Sequence, residues 1–343
     1  MRTVVLRVSP DSPEPAQIAQ AAAVLRAGGL VVFPTETVYG LGANALDARA
    51  VGRIFEAKGR PANNPIIIHV ADASAAALLV AEWPERAARL ADRFWPGPLT
   101  LVLPKGPQVP DVVTAGGPTV AIRVPAHPVA LALLRAAGVP IAAPSANRSS
   151  RLSSTHAKHV LADLDGRIEM ILDAGPTAVG LESTVLDLTT TPPQVLRPGH
   201  ITPSEIEQAL GDTLSQSGDH VIQSAEPLPS PGLLPRHYAP RTPLDCCEKD
   251  QLQQIAALQE EHRRIACLKL EGTAIADGPN FLVISLPADP VRYGARLYDE
   301  LHKLDAAGVD LILVEVPPAE EAWLAVRDRL KRMRRKWGEK VIE

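Results

Sequence analysis

The feature that most constrains the fold is an alternation of short apolar segments with longer amphipathic ones, interrupted once by a proline-rich stretch. The alternation runs from the start of the chain to about Leu210 and returns after the interruption. The stretch Gly211–Pro240 is rich in Ser, Gln, Gly and Pro, and its prolines keep such a segment stiff and extended. The sequence therefore predicts a first domain at 1–210, a linker at 211–240 and a second domain at 241–343.

In the first domain, several predicted strands follow one another without an intervening helix. The predicted strands are Leu30–Phe33, Pro65–Val70, Leu99–Leu103, Thr119–Val124, Ile141–Ala143, Ile168–Leu172, Ser183–Leu188 and Gln194–Leu196. The predicted helices are Pro15–Ala27, Asp47–Ala57, Pro84–Phe94, His127–Ala137 and Thr155–Leu164. Because parallel strands need long crossovers, a twisted, mixed open α/β sheet with helices on its faces fits better than a purely parallel one.

The second domain repeats the alternation on a smaller scale. Its predicted strands and helices are Arg264–Leu270, Phe281–Leu286, Arg292–Ala307, Asp310–Val316 and Ala319–Lys336. This order is typical of a small Rossmann-like α/β domain.

Composition excludes some classes of protein and leaves others open. A formal net charge of −4 gives no sign of a phosphate-neutralising surface, although a local basic patch remains possible. The three cysteines have no C-x-x-C spacing and cannot form a disulfide framework, which favours reduced thiols. With neither a signal-peptide pattern nor an apolar run of about 20 residues, the sequence predicts a cytoplasmic protein without a membrane span.

Common catalytic and nucleotide-binding motifs are absent. The sequence has no P-loop, no H-E-x-x-H or paired-cysteine metal spacing and no G-x-S-x-G elbow. Gly40, Gly42 and Ala45 match G-x-G-x-x-A, but six residues separate the first glycine from the preceding strand. A dinucleotide-binding turn needs that glycine directly after the strand, so this match argues weakly for NAD.

Polar segments follow several predicted strands, where α/β sheets commonly bind ligands. PTETVYGLG presents Thr35, Glu36, Thr37 and Tyr39 in quick succession, followed by two glycines. The alternative is a turn whose threonines hydrogen-bond nearby backbone groups. The segment is therefore a candidate binding loop.

KGRPANNP places two cations, Lys58 and Arg60, just before a strand, where they could neutralise a polyphosphate or form a solvated basic turn. APSAN offers the hydroxyl of Ser145, the amide of Asn147 and backbone N–H groups as a phosphate cradle. Arg123, after TVAI, could pair with a carboxylate. Each could instead satisfy backbone groups, but their joint occurrence favours a site.

These segments together resemble a known family. PTETVYGLG, KGRPANNPIIIHV, FWPGPLTLVLP, VAIRVP, APSAN, ESTVLDL and VLRPG occur in the order expected of YrdC-like threonylcarbamoyl-adenylate synthases. SPGLLPRHYAP and the second domain resemble the long, two-domain form. The resemblance implies that L-threonine is bound by Thr35, His69, Arg123 and Ser183. It implies that ATP is bound by Lys58, Arg60, Asn64, Thr119, Ser145, Asn147, Arg197 and Tyr238, with Asn63 an alternative to Asn64.

The same resemblance implies the reaction. L-Threonine, bicarbonate and ATP would give L-threonylcarbamoyladenylate and pyrophosphate, with Mg²⁺ accompanying ATP and Lys58 and Arg60 as catalytic cations. No residue is identified as a metal ligand. The product would pass to a transferase that modifies tRNA adenosine beside the anticodon, and the linker would act as a lid that places Tyr238 near ATP.

Two other classes remain open. An RNA-binding module would need a continuous basic surface, and the basic run Lys331–Lys336 is either a solvated helix face or a weak contact for RNA or an acidic partner. A regulatory sensor would bind threonine and ATP without chemistry.

Overall fold

The computed structural model describes residues 2–215, 238–252 and 264–335. The chain divides into two units, and the second includes two short segments from within the stretch that forms the first. The first unit is made of Met1–Ser149, Ser153–Ala178 and Glu182–Leu234; the second is made of Ser150–Leu152, Val179–Leu181 and Pro235–Glu343. Most of the predicted linker, residues 216–237, lies outside the described residues.

The first unit is built on a ten-stranded mixed sheet. Its strands are β1 (Val4–Arg7), β2 (Val31–Phe33), β3 (Gly40–Asn44), β4 (Ile68–His69), β5 (Leu99–Pro104), β6 (Thr119–Arg123), β7 (Ile141–Ala142), β8 (Met170–Asp173), β9 (Thr184–Asp187) and β10 (Gln194–Arg197). They lie in the order β1-β8-β2-β3-β7-β4-β6-β5-β9-β10. Pairs such as β4 with β6 are parallel, whereas β2 with β3 and β5 with β6 are antiparallel, which confirms the predicted mixed sheet.

Helices cover both faces of this sheet. They are α1 (Pro15–Arg26), α2 (Ala48–Lys58), α3 (Ala73–Ala77), α4 (Glu85–Phe94), α5 (Asp111–Thr114), α6 (Pro128–Ala137), α7 (Ala157–Leu164) and α8 (Pro203–Leu210). The cluster on one face is mainly aliphatic, and α1 and α6 bury the other face against Phe33 and Ile141. Since aromatic residues make up only 3% of the sequence, Ala, Val, Leu and Ile fill most of this core.

Local capping explains several helix limits. The carboxylate of Asp47 accepts hydrogen bonds from the backbone N–H groups of Arg49 and Ala50 and begins α2. Thr202 and Glu205 form a capping box that begins α8, a helix missing from the sequence-based prediction.

Strand β3 also differs from the sequence-based prediction, which had a loop there. The sequence does not predict this strand because it contains Gly40 and Gly42, and glycine has a low strand propensity. A Cβ on Gly42 would lie 2.8 Å from Ile141 Cγ2 and 2.9 Å from Phe33 Cε1, so only glycine fits without a shift. The two glycines therefore belong to a strand and not to a dinucleotide-binding turn.

The second unit contains a four-stranded parallel sheet, as expected for a Rossmann-like domain. Its strands, in the order β11-β14-β12-β13, are β11 (Leu244–Cys247), β12 (Ile265–Leu270), β13 (Phe281–Leu286) and β14 (Leu311–Glu315). The helices described there are α9 (Pro290–Ala306) and α10 (Leu324–Met333), the latter preceded by a 3-10 turn at Glu321–Trp323. The recruited segments are tied in through the Ala239 N–H, which donates to Ser150 O, and through Gly180, which packs on Gly294.

Among the described residues, no helix combines the length and the apolar character needed to cross a membrane.

Candidate functional site

The guanidinium of Arg123 is the centre of a buried polar cluster in the first unit. Its Nε donates to Gly97 O at 3.1 Å, its Nη1 to Thr37 Oγ1 at 2.9 Å and its Nη2 to Glu36 Oε1 at 2.6 Å. The other oxygen of Glu36 accepts from the Ala126 N–H at 3.0 Å. Arg123 thus joins the loop after β2 to the residues just before β5 and just before α6.

The turn that carries Glu36 is closed by Thr35. Its hydroxyl donates to Val38 O at 2.7 Å and accepts from the N–H groups of Thr37 and Val38. It also lies 2.8 Å from Thr37 Oγ1, which contacts Arg123. The observed contacts of Thr35 are therefore within its own turn, and direct binding of threonine stays a prediction.

His69 lies beside Arg123 in the sheet, since these two residues are register partners in the parallel pair β4–β6. The ring is buried and packs edge-on against Phe33, and no hydrogen-bond partner of its Nδ1 is found in the described part of the chain. Burial, and then the positive charge of Arg123, lower the pKa of His69 to about 3. The imidazole is therefore neutral at physiological pH and presents an unsatisfied ring nitrogen inside the unit.

The segment Gly97–Pro98 connects Arg123 to a second polar group. While Gly97 O accepts from Arg123, Pro98 O accepts from the N–H of Thr184. This contact places Ser183 at the start of β9, where its hydroxyl lies 2.8 Å from Thr100 Oγ1. Two adjacent carbonyls thus hold Arg123 and Thr184, the residue that follows Ser183.

Arg197 completes this second group. Its Nε donates to Ser183 O and its Nη2 to Ser183 Oγ, both at 3.1 Å. The chain leaves β10 through Gly199, where a Cβ would lie 2.2 Å from Thr184 N and 2.5 Å from Ser183 C. Glycine is therefore required here because two backbones approach each other more closely than any side chain allows.

Lys58, the last residue of α2, forms the third group with the APSAN loop. Its Nζ donates to Ser145 O at 2.6 Å and also to Asn147 O. Burial, followed by the positive charge of Arg60, holds the pKa of Lys58 well below its ordinary value, while Asp163 acts in the opposite direction. The loop thus surrounds a desolvated amine with carbonyl oxygens.

Arg60 lies next to Lys58 and is organised by Asn64. The guanidinium donates through Nη2 to Asn64 Oδ1 and to Pro65 O, both at 2.6 Å, and through Nε to Asn64 O at 3.0 Å. Asn64 is fully buried and its Nδ2 has no hydrogen-bond partner among the described residues, whereas Asn63 is half-buried. These contacts favour Asn64 over Asn63 as the residue that shapes this group.

PTETVYGLG connects the groups. Thr37 and Glu36 contact Arg123, and two residues later Tyr39 O accepts from the Ala146 N–H of the loop that holds Lys58. Gly40 also forms an isolated antiparallel bridge with Ser145. One short segment therefore links the Arg123 group to the Lys58 group.

Two predicted ATP ligands are not brought into these groups by their described contacts. Thr119 begins β6 and Arg123 ends it, which separates them by about 13 Å at about 3.3 Å per residue. Tyr238 lies in the second unit, where its ring is buried 5.1 Å from the guanidinium carbon of Arg329 and 6.3 Å from the ring of Tyr298. The contacts of both residues with ATP stay predictions.

Two arginines of the basic run Lys331–Lys336 form ion pairs where the structure describes it. Arg329 and Arg332 pair with Asp328, and Arg334 pairs with Asp245 at 2.7 Å. The remainder, from residue 336 onward, lies outside the described residues. A solvated helix face and a weak contact for RNA or an acidic partner both stay predictions for this run.

Some residues of the site were not identified from the sequence. Gly97, Thr100 and Ala126 contribute two backbone groups and one hydroxyl. The motif FWPGPLTLVLP contains the first two, but a backbone carbonyl leaves no signal in residue types. The sequence places Glu36 in the polar loop PTETVYGLG but assigns it no binding or catalytic role.

Two family profiles match successive parts of the chain. The profile described as Telomere recombination matches residues 23–199, and the one described as Threonylcarbamoyl-AMP synthase, C-terminal domain, matches residues 201–333.

Individual proteins are similar over nearly the full length. A protein of Pyrococcus abyssi named Threonylcarbamoyl-AMP synthase is 46% identical over 338 residues, covering 96% of this chain and 97% of its own. A protein of Bacillus subtilis with the same name is 48% identical over 319 residues, covering 92% of both. The crystal structure of P. abyssi Sua5 complexed with L-threonine matches with a TM-score of 0.89 at 44% identity, over 97% of this chain and 99% of that one.

Proposed function

The chain belongs to the threonylcarbamoyl-AMP synthase family and is an enzyme that makes threonylcarbamoyl-AMP, and we propose that it does so from L-threonine, bicarbonate and ATP in the site built around Arg123 and Lys58. One observation carries this assignment of the site. The segment from Thr35 to Gly40 contacts both Arg123 and the loop that holds Lys58. A carboxylate-binding group and a polyphosphate-binding group thus share one wall.

Threonine binds at the Arg123 end. The guanidinium faces the substrate carboxylate, because a fork of N–H donors matches two carboxylate oxygens. Ser183, held by Thr100 and Arg197, supplies a hydroxyl, and the neutral ring of His69 faces the substrate. Thr35 shapes the turn and is the remaining predicted ligand. Support comes from the burial of these groups around Arg123.

ATP binds at the Lys58 end. The residues proposed to bind its phosphates, sugar and base are Lys58, Arg60, Asn64, Thr119, Ser145, Asn147, Arg197 and Tyr238. Lys58 and Arg60 are nine-tenths or more buried, so water screens their interaction with phosphate weakly. The buried Nδ2 of Asn64 adds an unused donor beside Arg60.

The reaction joins two anions. The threonine amine adds to carbon dioxide derived from bicarbonate, and an oxygen of the resulting carbamate attacks the α-phosphorus of ATP as the bond to pyrophosphate breaks. Two unit charges 4 Å apart interact with about 1 kcal/mol in water and several times more where water is excluded. Lys58, Arg60 and Arg197 offset this repulsion and stabilise the charge that develops on pyrophosphate.

We propose that Mg²⁺ arrives with ATP and is held mainly by its phosphates and by water. Among the described residues, no group of three or more His, Cys, Asp or Glu side chains could form a metal site. Mg²⁺ commonly binds to substrate phosphates with only one or two protein carboxylates. When bound, it supplies positive charge to the triphosphate.

Three further parts of the proposal concern the surroundings of the site. We propose that the linker at 211–240, of which residues 216–237 lie outside the described residues, acts as a lid that excludes water from a short-lived carbamate. The product passes to a transferase that modifies tRNA adenosine beside the anticodon. The enzyme works in the cytoplasm, a location consistent with free thiols at Cys246, Cys247 and Cys267.

Pyrophosphate release tests the function directly. The full chain, with ATP, Mg²⁺ and bicarbonate, should release pyrophosphate with L-threonine and far less with L-serine. Binding of both threonine and ATP without pyrophosphate release would indicate a sensor and would contradict the proposed enzyme.

A further inference from the structure

Glu36 is a partly buried carboxylate with no role in the function proposed above. Its side chain is 13% exposed and sits within the Arg123 group. Oε1 accepts from Arg123 Nη2 at 2.6 Å, and Oε2 accepts from the Ala126 N–H at 3.0 Å. The imidazole of His127 also interacts electrostatically with this charge. Glu36 is therefore oriented from two sides and keeps a small exposed fraction.

Both partners of this ion pair retain hydrogen-bonding capacity. A carboxylate has about four acceptor positions, and the two contacts of Glu36 use two of them. A guanidinium has five N–H donors, and the bonds of Arg123 to Gly97, Thr37 and Glu36 use three. An incoming molecule therefore meets acceptors and donors side by side, on atoms 2.6 Å apart.

This pairing matches an α-amino acid, which carries an ammonium and a carboxylate on one carbon. Without a nearby anion, the guanidinium of Arg123 would repel the ammonium. We propose that Glu36 binds the α-amino group of L-threonine while Arg123 binds its carboxylate. Glu36 then accepts the proton that nitrogen loses as the N–C bond forms. This inference rests on the proposed function, in which threonine binds at Arg123.

The protons balance in two steps. Threonine enters as an ammonium and gives one proton to bicarbonate, which yields the free amine, carbon dioxide and water. The nitrogen lone pair then forms the bond to carbon, and one C=O electron pair moves onto oxygen. The N–H proton released in this step passes to the carboxylate of Glu36 and afterwards to water, leaving the carbamate as an anion.

A ligand-truncation experiment tests this role on the full chain. Calorimetry would compare L-threonine with 2,3-dihydroxybutanoate of the same configuration, in which a hydroxyl replaces the amine. Glu36→Gln removes the charge and keeps one acceptor oxygen, which can still accept from Arg123 while the Ala126 N–H loses its hydrogen bond. We expect it to weaken threonine binding at least about tenfold, the size of a charge-assisted hydrogen bond, and to change hydroxy-acid binding less than about twofold. Equal losses for both ligands would overturn the proposal.

Thr37→Val is the matched control. It removes a different contact of Arg123 and leaves Glu36 in place. If Glu36 acted only by orienting Arg123, both variants would weaken the two ligands alike. We expect Thr37→Val to reduce both affinities by similar factors, and a loss confined to threonine in this variant would contradict the assignment to Glu36.

Two measurements keep the result interpretable. Wild-type protein that binds no threonine would refute the proposed function and this inference with it, whereas failure of the selective loss in Glu36→Gln refutes only the inference. Thermal melting checks that the variant folds. If it does not, Glu36→Asp provides the same test, since it retracts the charge by one methylene: the ratio of threonine to hydroxy-acid affinity must fall, and an unchanged ratio overturns the proposal.

Discussion

Glu36 and Arg123, 87 positions apart in the chain, form an ion pair with 2.6 Å between Oε1 and Nη2, and their side chains are 13% and 4% exposed. Breaking one side of such a pair leaves an uncompensated charge, which costs more than the pair itself contributes.

We therefore expect Arg123→Gln to lower the free energy of unfolding by about 3–5 kcal/mol and to abolish threonine binding. The double variant Glu36→Gln/Arg123→Gln should recover part of the stability without recovering threonine binding, because neither charge is then left alone. Urea unfolding and calorimetry check both properties. A double variant less stable than Arg123→Gln would contradict this account.

Lys58 provides a test of charge stabilisation. Lys58→Ala should reduce turnover by at least about a hundredfold, which corresponds to about 2.7 kcal/mol, the size of one strong electrostatic contact in a transition state. Because Ser145 O and Asn147 O enclose Nζ of Lys58, Lys58→Arg should not restore full activity in this confined position. Pyrophosphate release gives the rates, and near wild-type turnover in Lys58→Ala would remove this residue from the mechanism.

His69 predicts a pH dependence of stability. Its pKa is lowered to about 3, below the unfolded value of about 6.5, so between these values the unfolded chain binds a proton that the native protein does not. Stability from the neutral ring is thus fully present above pH 6.5 and falls by about 1.4 kcal/mol per pH unit as the pH drops toward 3. Urea unfolding of wild type and His69→Gln from pH 7 to 4 should give converging stabilities. Parallel curves would show that His69 does not titrate this way.

A substitution at Gly199 tests whether its backbone lies too close to that of Ser183 and Thr184 for a side chain. Gly199→Ala should destabilise the protein by about 1–3 kcal/mol, as overpacking does, and should disturb Ser183 and Arg197. Gly52→Ala is the matched control, since it lies inside α2 and its Cβ would meet nothing within 4 Å. That change should stabilise by up to about 1 kcal/mol. Similar unfolding midpoints for both variants would refute the steric explanation.

Two substitutions of Tyr238 distinguish the packing role of its ring from the proposed binding of ATP by its hydroxyl. Tyr238→Ala should destabilise the second unit by about 3–5 kcal/mol, because a buried ring is lost and Arg329 loses its aromatic partner. Tyr238→Phe keeps the ring, so it should lower the melting temperature less than Tyr238→Ala does. If the hydroxyl contacts ATP as proposed, Tyr238→Phe should raise the KM for ATP. An unchanged KM would remove the hydroxyl from the site.

Residue types alone determined much about this protein. Strands that follow one another without helices favoured the mixed sheet, and the motifs from PTETVYGLG to VLRPG indicated the family. Both predictions are confirmed. They succeed because the residue types of a motif and the spacing of apolar residues are properties of short, continuous segments of the chain.

Tertiary structure decided how the polar segments meet. Arg123 reaches Glu36, Thr37 and Gly97 because strand order, register and the path of the loop after β2 bring these segments together. Strand β3 was missed because its glycines are selected by the approach of Phe33 and Ile141 and not by strand propensity. Such contacts join residues that lie tens of positions apart in the sequence, and some are made by backbone carbonyls, which every residue carries. They depend on the assembled sheet, so only the folded chain shows them.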